Sequence, residues 1–345
     1  MVFISKRDGK YDRKIETNGF TFFNLSLTRG KLSVGRNIIA IFELARLLTT
    51  VRADLLHNYT IQCILMGTIA GKLGGVKFFV NSFTGLGSVL GRSGKPTTAQ
   101  RLIAAALRFV MYRGNFRLVT QNAADYRQII SLRLRPAEDV ALIQGSGINL
   151  RNLPCKTLSS TTETIVVCLA RLIKDKGIKE YVEAAHIVAA KTPKTRFLLA
   201  GSEDHGNPNS IPAPVIDNWR RESNVEFLGH VDEPLALLAR SDVLVLPSYR
   251  EGFPRSILEA FSLALPVVTT DVPGCRDLVD HGVNGLVVPP RHPEALARAI
   301  LSLVESPAHR RAFGNSGRRL VEDRYSGEAH AKEMKALYAA LGTVP

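Results

Sequence analysis

Between Val243 and Glu259 the chain reads Val-Leu-Val-Leu-Pro-Ser-Tyr-Arg-Glu-Gly-Phe-Pro-Arg-Ser-Ile-Leu-Glu. Four consecutive apolar residues, Val243 to Leu246, have the pattern of a strand covered on both faces, as in a parallel sheet with helices on either side. Pro247 stops the strand and Gly252 frees the loop. Pro254 suits the first turn of a helix, where no backbone N–H is needed. Two carboxylates, Glu251 and Glu259, bracket that helix start. A strand that opens through a polar loop onto a helix N-terminus is where α/β proteins hold ligands, and the free N–H groups there favour anions.

The flanking sequence repeats the theme. Thr164–Ala170, Arg196–Ala200, Val225–Leu228, Val267–Val268 and Leu286–Val288 read as strands. Ile178–Ala190, Leu235–Ala239, Pro293–Glu305 and His309–Glu322 read as helices. Earlier in the chain, residues 2–4, 20–25, Val76–Val80 and Phe116–Thr120 have strand patterns, and Leu55-Leu56 ends another. Asn37–Thr50, Ile64–Leu73, residues 100–113 and Ala123–Leu132 have helical spacing. His57-Asn58-Tyr59-Thr60 is read as a loop, and Asn81–Lys95, with Gly85, Gly87, Gly91 and Gly94, as a glycine-rich loop. Residues 151–163 lose periodicity and gain Ser, Thr and Pro. They are therefore assigned as a linker between a first domain over 1–150 and a second over 164–325. Strand–helix alternation on both sides predicts an α/β protein with parallel sheets, built twice.

The 345 residues are long for one doubly wound domain and comfortable for two. Cys63, Cys155, Cys168 and Cys275 form no CxxC pair and no metal-ligand spacing, so they read as reduced packing residues. No run of about 18 apolar residues occurs. The formal charge of +14 is unevenly placed: residues 1–151 hold 22 Lys/Arg against 8 Asp/Glu, and the remainder is balanced. Such asymmetry points to an anionic partner, although the same excess also serves solubility. Arg101 and Arg108 lie seven apart on the helix at 100–113, beside Leu102, Ile103, Leu107, Val110 and Met111. This pattern fits either an ordinary core helix with a basic edge or one that lies on an anionic membrane. No nucleic-acid motif accompanies the charge, so nucleic acid is not an expected partner.

Two turns carry candidate chemistry. Arg171, Lys174, Lys176 and Gly177 lie between a strand and a helix, where cations and close backbone approach suit a pyrophosphate. Glu259 lies about 7–8 Å beyond Pro254 at roughly 1.5 Å per residue, about the offset between a pyrophosphate and its ribose. A carboxylate at that distance can accept two hydroxyl hydrogen bonds.

Ala-Arg-Leu-x4-Gly-Ile, Phe-Leu-Gly-His-Val, Leu-Pro-Ser-x2-Glu-Gly-Phe-Pro-x4-Glu and Pro-Val-Val-x3-Val-Pro-Gly-Cys, taken in order over about 165–325, resemble the retaining glycosyltransferases of family 4. His57-x2-Thr60, Asn81-x2-Thr-Gly-Leu-Gly87 and Gly145-Ser-Gly147 more loosely resemble its subgroup that builds bacterial O-antigen and capsular polysaccharides on lipid-linked acceptors. The resemblance implies the GT-B fold, two Rossmann-like domains facing across a cleft, with residues 326–345 as a helix packing back on the first. It implies that Arg171 and Lys176 contact a donor diphosphate and that Glu259 holds ribose hydroxyls. Glu251, Gly252 and Phe253 would grip the donor sugar and phosphate, and Gly229 to Val231 would lie against the base. Glu251, Arg171 and Lys176 are thus the expected catalytic residues, and His57, Thr84 and Gly85 the acceptor-side candidates. The donor is expected to be a UDP-sugar carrying a hexose or N-acetylhexosamine. No metal and no other cofactor are expected, in keeping with the absence of Asp-x-Asp. The expected place of action is cytoplasmic, peripheral at the inner face of an anionic membrane.

One departure stands out. The family's opening strand and Gly-rich loop have no counterpart: Met1–Ser5 resembles the second strand, so about 25–30 residues, one strand–helix unit, are expected to be missing. Two other readings stay open, a catalytically impaired homologue that binds a nucleotide sugar or a partner, and a sugar-nucleotide epimerase of related fold.

Overall fold

The computed structural model describes residues 1–9, 11–25, 34–86, 90, 97–154, 163–204 and 207–342. It divides into two compact units. One comprises 1–119, 128–141 and 337–345, and the other 120–127 and 142–336. The sequence reading places a single boundary at 151–163, of which 155–162 lie outside the described residues. In the structure, 120–127 and 142–150 belong with the second unit and 337–345 with the first.

In the second unit, strands β7 (Thr164–Leu169), β8 (Thr195–Ala200), β9 (Val225–Gly229), β10 (Val243–Leu246), β11 (Val267–Thr270) and β12 (Gly285–Val288) form one sheet in the order β12-β11-β10-β7-β8-β9. Every neighbouring pair in it is parallel. Successive strand residues face opposite sides, and both sides are covered. Val167, Leu198, Leu244, Leu246 and Val267 pack in one cluster, while Val166, Phe197, Leu199, Val243, Val245 and Val268 pack in another. All four residues of β10 are buried, as the unbroken apolar run requires, and each is worth about 1.5–3 kcal/mol relative to exposure. Tyr181, fully buried on a helix over Ile178–Lys191, satisfies its hydroxyl by donating toward the carbonyls of Val166 (3.0 Å) and Leu198 (2.9 Å). A helix over Ala213–Glu222 follows β8. Its polar, short sequence, with Ile216 its one buried residue, leaves little periodic signal, and it was not expected from the sequence.

In the first unit, β1 (Val2–Ser5) and β2 (Thr21–Asn24) form a two-stranded parallel sheet. A separate sheet runs β3 (Leu55–Tyr59), β4 (Phe78–Phe83), β5 (Asn115–Thr120) and β6 (Val140–Leu142), in that order. Among the described residues no ladder joins the two sheets, so β3 has a strand neighbour on one side only. Helices α1 (Tyr11–Thr17), α2 (Val34–Thr50), α3 (Ile61–Leu73) and α4 (Thr98–Val110) complete most of this unit. Thr97 caps α4, accepting from the Gln100 N–H at 3.3 Å, while Gln100 Oε1 accepts from the Thr97 N–H at 2.9 Å.

Two readings of this region need correction. His57 is not in a loop: it lies within β3, paired in register with Val80. Asn81 to Phe83 likewise belong to β4 rather than to the glycine-rich loop, whose Gly87, Gly91 and Gly94 lie outside the described residues. Polar side chains hid both strand ends. Asn58 and Asn81 are buried and bond each other, Asn58 Nδ2 to Asn81 Oδ1 at 2.9 Å, so they behave as a core pair rather than as turn residues.

Candidate active site

The order of the six-stranded sheet reverses between β7 and β10. From β7 the chain moves outward through β8 and β9, then returns to place β10 on the other side of β7. The loops leaving the carboxyl ends of these two strands diverge, and the crevice they leave is the usual ligand site of an open parallel sheet. Both turns singled out in the sequence lie there.

After β7, Lys174–Lys176 makes one short 3-10 turn that ends at Gly177, and the helix over Ile178–Lys191 follows. Gly177 has φ +66°, and a Cβ there would run into the Pro247 carbonyl oxygen at the end of β10. Only glycine meets both conditions. The backbone of the second loop is pinned to the first by the Tyr249 N–H, which donates to the Asp175 carbonyl at 2.8 Å.

This approach brings side chains 75 residues apart into contact. Lys176 Nζ lies 2.5 Å from Glu251 Oε1, and both side chains are largely buried. Ser248 Oγ donates to the same carboxylate oxygen at 2.7 Å, and Thr270 Oγ1 donates to the Ser248 carbonyl. Tyr249 turns aside: its hydroxyl meets Glu180 at 2.5 Å, and Arg291 lies over its ring at 4.5 Å. Burial, with the Glu180 carboxylate next, pushes the Tyr249 hydroxyl up.

Pro254 stands just before the helix over Arg255–Ser262 rather than inside it. Glu259 lies on that helix between buried Leu258 and Ala260, its side chain only 13% exposed, and accepts from Arg255 Nε at 2.8 Å. Burial raises the Glu259 carboxyl above its ordinary value, with the Arg255 hydrogen bond and charge opposing. Gly252 and Phe253 are held from behind. Asn122 Nδ2 donates to the Gly252 carbonyl at 2.8 Å while Asn122 Oδ1 accepts from the Asp125 N–H at 2.8 Å. Gly145, at φ +73°, leaves room for Phe253, whose Cδ1 would lie 2.7 Å from a Cβ there. The Phe253 ring also packs on Tyr325, with centroids 5.3 Å apart.

Arg171 is more exposed and bonds Asp204. Gly229 closes β9 at φ +68°, its carbonyl accepting from the Gly201 N–H at 2.7 Å, and Val231 packs against the core beneath. The second unit therefore brings Arg171, Lys176, Gly229, Val231, Glu251, Gly252, Phe253 and Glu259 to strand ends, loops and helices around one sheet. Cys168 and Cys275 are buried there, their thiols pushed up to about 12 by burial, which suits packing residues.

The acceptor-side candidates all lie in the first unit. His57 Nε2 lies 2.7 Å from Ser82 Oγ, and Nδ1 lies 2.7 Å from the hydroxyl of Tyr338. The ring also stacks on Tyr59 at 4.2 Å. Both ring nitrogens are thus engaged, and burial lifts the Tyr338 hydroxyl to about 12. Exposed Thr84 and half-buried Gly85 follow the end of β4, the strand that carries Ser82.

Sequence reasoning missed Ser248, Asn122, Asp204 and Arg255, the partners that hold the quoted residues. It also missed Arg250, whose Nη1 is buried without a hydrogen-bond partner among the described residues. Ser248 and Arg250 stand inside the Leu-Pro-Ser-x2-Glu motif and could have been weighed. Asn122 and Asp204 carry no local signal.

Comparison with known proteins gives the family. A family model described as Glycosyl transferases group 1 matches residues 151–320, and one described as Glycosyl transferase 4-like matches 1–122. The chain is 31% identical over 174 residues to the capsular polysaccharide biosynthesis glycosyltransferase CapM of Staphylococcus aureus, a match that takes in 50% of this chain and 45% of the relative. It is 25% identical over 318 residues to the N,N'-diacetylbacillosaminyl-diphospho-undecaprenol alpha-1,3-N-acetylgalactosaminyltransferase of Campylobacter jejuni, covering 88% of this chain and 82% of that one. Among solved structures, Anabaena Alr3699/HepE in complex with UDP and glucose superposes with a TM-score of 0.82 at 19% identity, over 98% of this chain and 91% of the other. With matching models over both halves and this fold, the chain belongs to the glycosyltransferases of the GT-B type and is related to one of capsular polysaccharide biosynthesis.

Proposed function

We propose that the chain transfers a hexose or N-acetylhexosamine from a UDP-sugar to a lipid-linked saccharide, with retention at the anomeric carbon, at the inner face of the cytoplasmic membrane. The observation that carries this reading is the Lys176–Glu251 contact at the strand-order reversal, with Glu259 on the helix that follows. The name of the Campylobacter relative, which specifies a diphospho-undecaprenol acceptor, supports the lipid-linked acceptor. The Anabaena complex with UDP and glucose supports the donor.

In this reading Lys176 and Arg171 face the diphosphate, and Glu259 exchanges Arg255 for the ribose hydroxyls. Glu251, fixed by Ser248 and Lys176, meets the sugar. As the sugar–phosphate bond breaks, the anomeric carbon takes on oxocarbenium character and negative charge grows on the departing diphosphate. Fixed cations that need not reorganise stabilise that charge best, and Lys176, held in a largely buried contact, meets the requirement. The acceptor hydroxyl attacks on the face the diphosphate leaves and passes its proton to the departing phosphate oxygen, so no carboxylate nucleophile is required. His57, Thr84 and Gly85 are the proposed acceptor-side contacts. The test is transfer of labelled sugar from a panel of UDP-sugars to undecaprenyl-diphosphate saccharides by the purified chain. A labelled lipid product is expected. UDP binding with no transfer to any acceptor in the panel would overturn the enzymatic reading in favour of a binding protein.

A further inference from the structure

Helix α4 presents two different faces. Ala104, Leu107 and Met111 are buried at spacings of three and four and account for its packing. The opposite face exposes Leu102 at 66%, Phe109 at 83% and, just past the helix end, Tyr112 at 74%. Leu102 and Phe109 are seven residues apart and so lie one above the other. Arg101 and Arg108, also seven apart and exposed, run beside them, and exposed Arg113 follows Tyr112. A soluble surface tolerates single exposed apolar residues, but an aliphatic and aromatic row edged by arginines on one helix calls for an occupant.

We infer that this face of α4 is an interfacial anchor for an anionic bilayer. Charge complementarity decides the occupant: the whole formal excess of the chain lies in residues 1–151, and no acidic residue stands between Thr98 and Arg113. A helix with Phe and Leu entering the headgroup–acyl boundary and Arg beside them matches an in-plane membrane helix. Leu102 and Phe109 enter the boundary, Tyr112 seats its ring at headgroup level with its hydroxyl toward water, and the arginines pair with lipid phosphates. Helix α2 also exposes apolar residues, Ile38, Ile39 and Phe42, but Glu43 stands beside Phe42 and weakens it as an anionic-surface contact. The inference deepens the proposed action on a lipid-linked acceptor by assigning the surface that reaches the lipid, and it rests on that reading only for its purpose.

Vesicle flotation of the full-length chain tests it. Binding to phosphatidylglycerol–phosphatidylethanolamine vesicles is expected, with much weaker binding to phosphatidylcholine alone. Each arginine near an anionic surface is worth about a fivefold change, so Arg101→Gln/Arg108→Gln is expected to lower binding about twenty-fivefold. Leu102→Ser/Phe109→Ser is expected to lower it at least about tenfold. All four positions are exposed, so melting temperatures should match the wild type, and Phe42→Ser should float normally. Flotation needs neither donor nor turnover, so a chain that floats as expected but transfers no sugar would overturn the enzymatic reading and leave this one standing. Unchanged flotation of both double variants, equal binding to neutral vesicles, or a dimer that Leu102→Ser/Phe109→Ser dissociates without loss of flotation would each overturn the anchor.

Discussion

Lys176 and Glu251 meet at 2.5 Å from loops that follow neighbouring parallel strands, with little solvent on either side chain. Removing one partner of such a pair strands the other, at a cost of about 3 kcal/mol, while removing both costs less than the sum. Lys176→Met and Glu251→Gln are therefore expected to melt well below the wild type, and the double variant to recover part of the loss. Transfer should fall on the order of a hundredfold or more in each, because the charge proposed to face the departing diphosphate, or its anchor, is gone. Thermal unfolding and turnover measured on all three variants check the coupling.

Glu259 separates stability from binding. Its carboxyl lies above the ordinary value of 4.5 because of burial. A raised carboxyl contributes stability that is fully present below its unfolded value and lost as pH rises through the folded value. At neutral pH the ionised group therefore weakens the fold. Glu259→Gln is expected to melt higher than the wild type at pH 7, the gap closing as pH falls below about 4.5. Donor affinity should fall about tenfold to a hundredfold, the worth of a hydrogen bond to a charged group. Melting curves at both pH values, with calorimetry against the nucleotide, give the two readouts.

Gly177→Ala would place a methyl against the Pro247 carbonyl at a backbone angle that L-residues avoid. The combined cost is on the order of 3 kcal/mol. Since the same contact sets the spacing between the two site loops, the donor KM should rise along with the loss of stability. A variant that unfolds earlier yet keeps its KM would mean that the loops are positioned by something else.

With Arg171 and Lys176 assigned to the diphosphate, transfer is expected to persist after dialysis against EDTA and to gain little from added magnesium or manganese. Activity that disappears with the chelator and returns with a divalent cation would assign the leaving-group charge to a metal instead.

The central strand, its loop and the helix beyond were legible because each rests on local signals: an unbroken apolar run, a proline, a glycine and a second proline within a dozen residues. The three-residue β6 and the polar helix over Ala213–Glu222 had no such signal. His57 was misread because His-Asn-Tyr looks like a turn, and its place in β3 depends on Asn58 finding Asn81 across the ladder. The candidate residues themselves were visible in their motifs. Their partners were not: Asp204 for Arg171, Asn122 for Gly252 and Ser248 for Glu251 are chosen by the fold, and no spacing rule ties Asn122 to a carbonyl 130 residues away.

The pairing of every charged donor-side candidate has a bearing on selectivity. Arg171 faces Asp204, Lys176 faces Glu251 and Arg255 faces Glu259, so each of these three cations is already matched by a carboxylate. A stray inorganic phosphate can compensate the cations but brings only its own P–OH groups, and no diol, to the carboxylates it would leave behind. A nucleotide sugar brings phosphates and hydroxyls together and can re-partner both signs at once. For the proposed nucleotide-sugar donor, these ion pairs would therefore favour the donor over small anions.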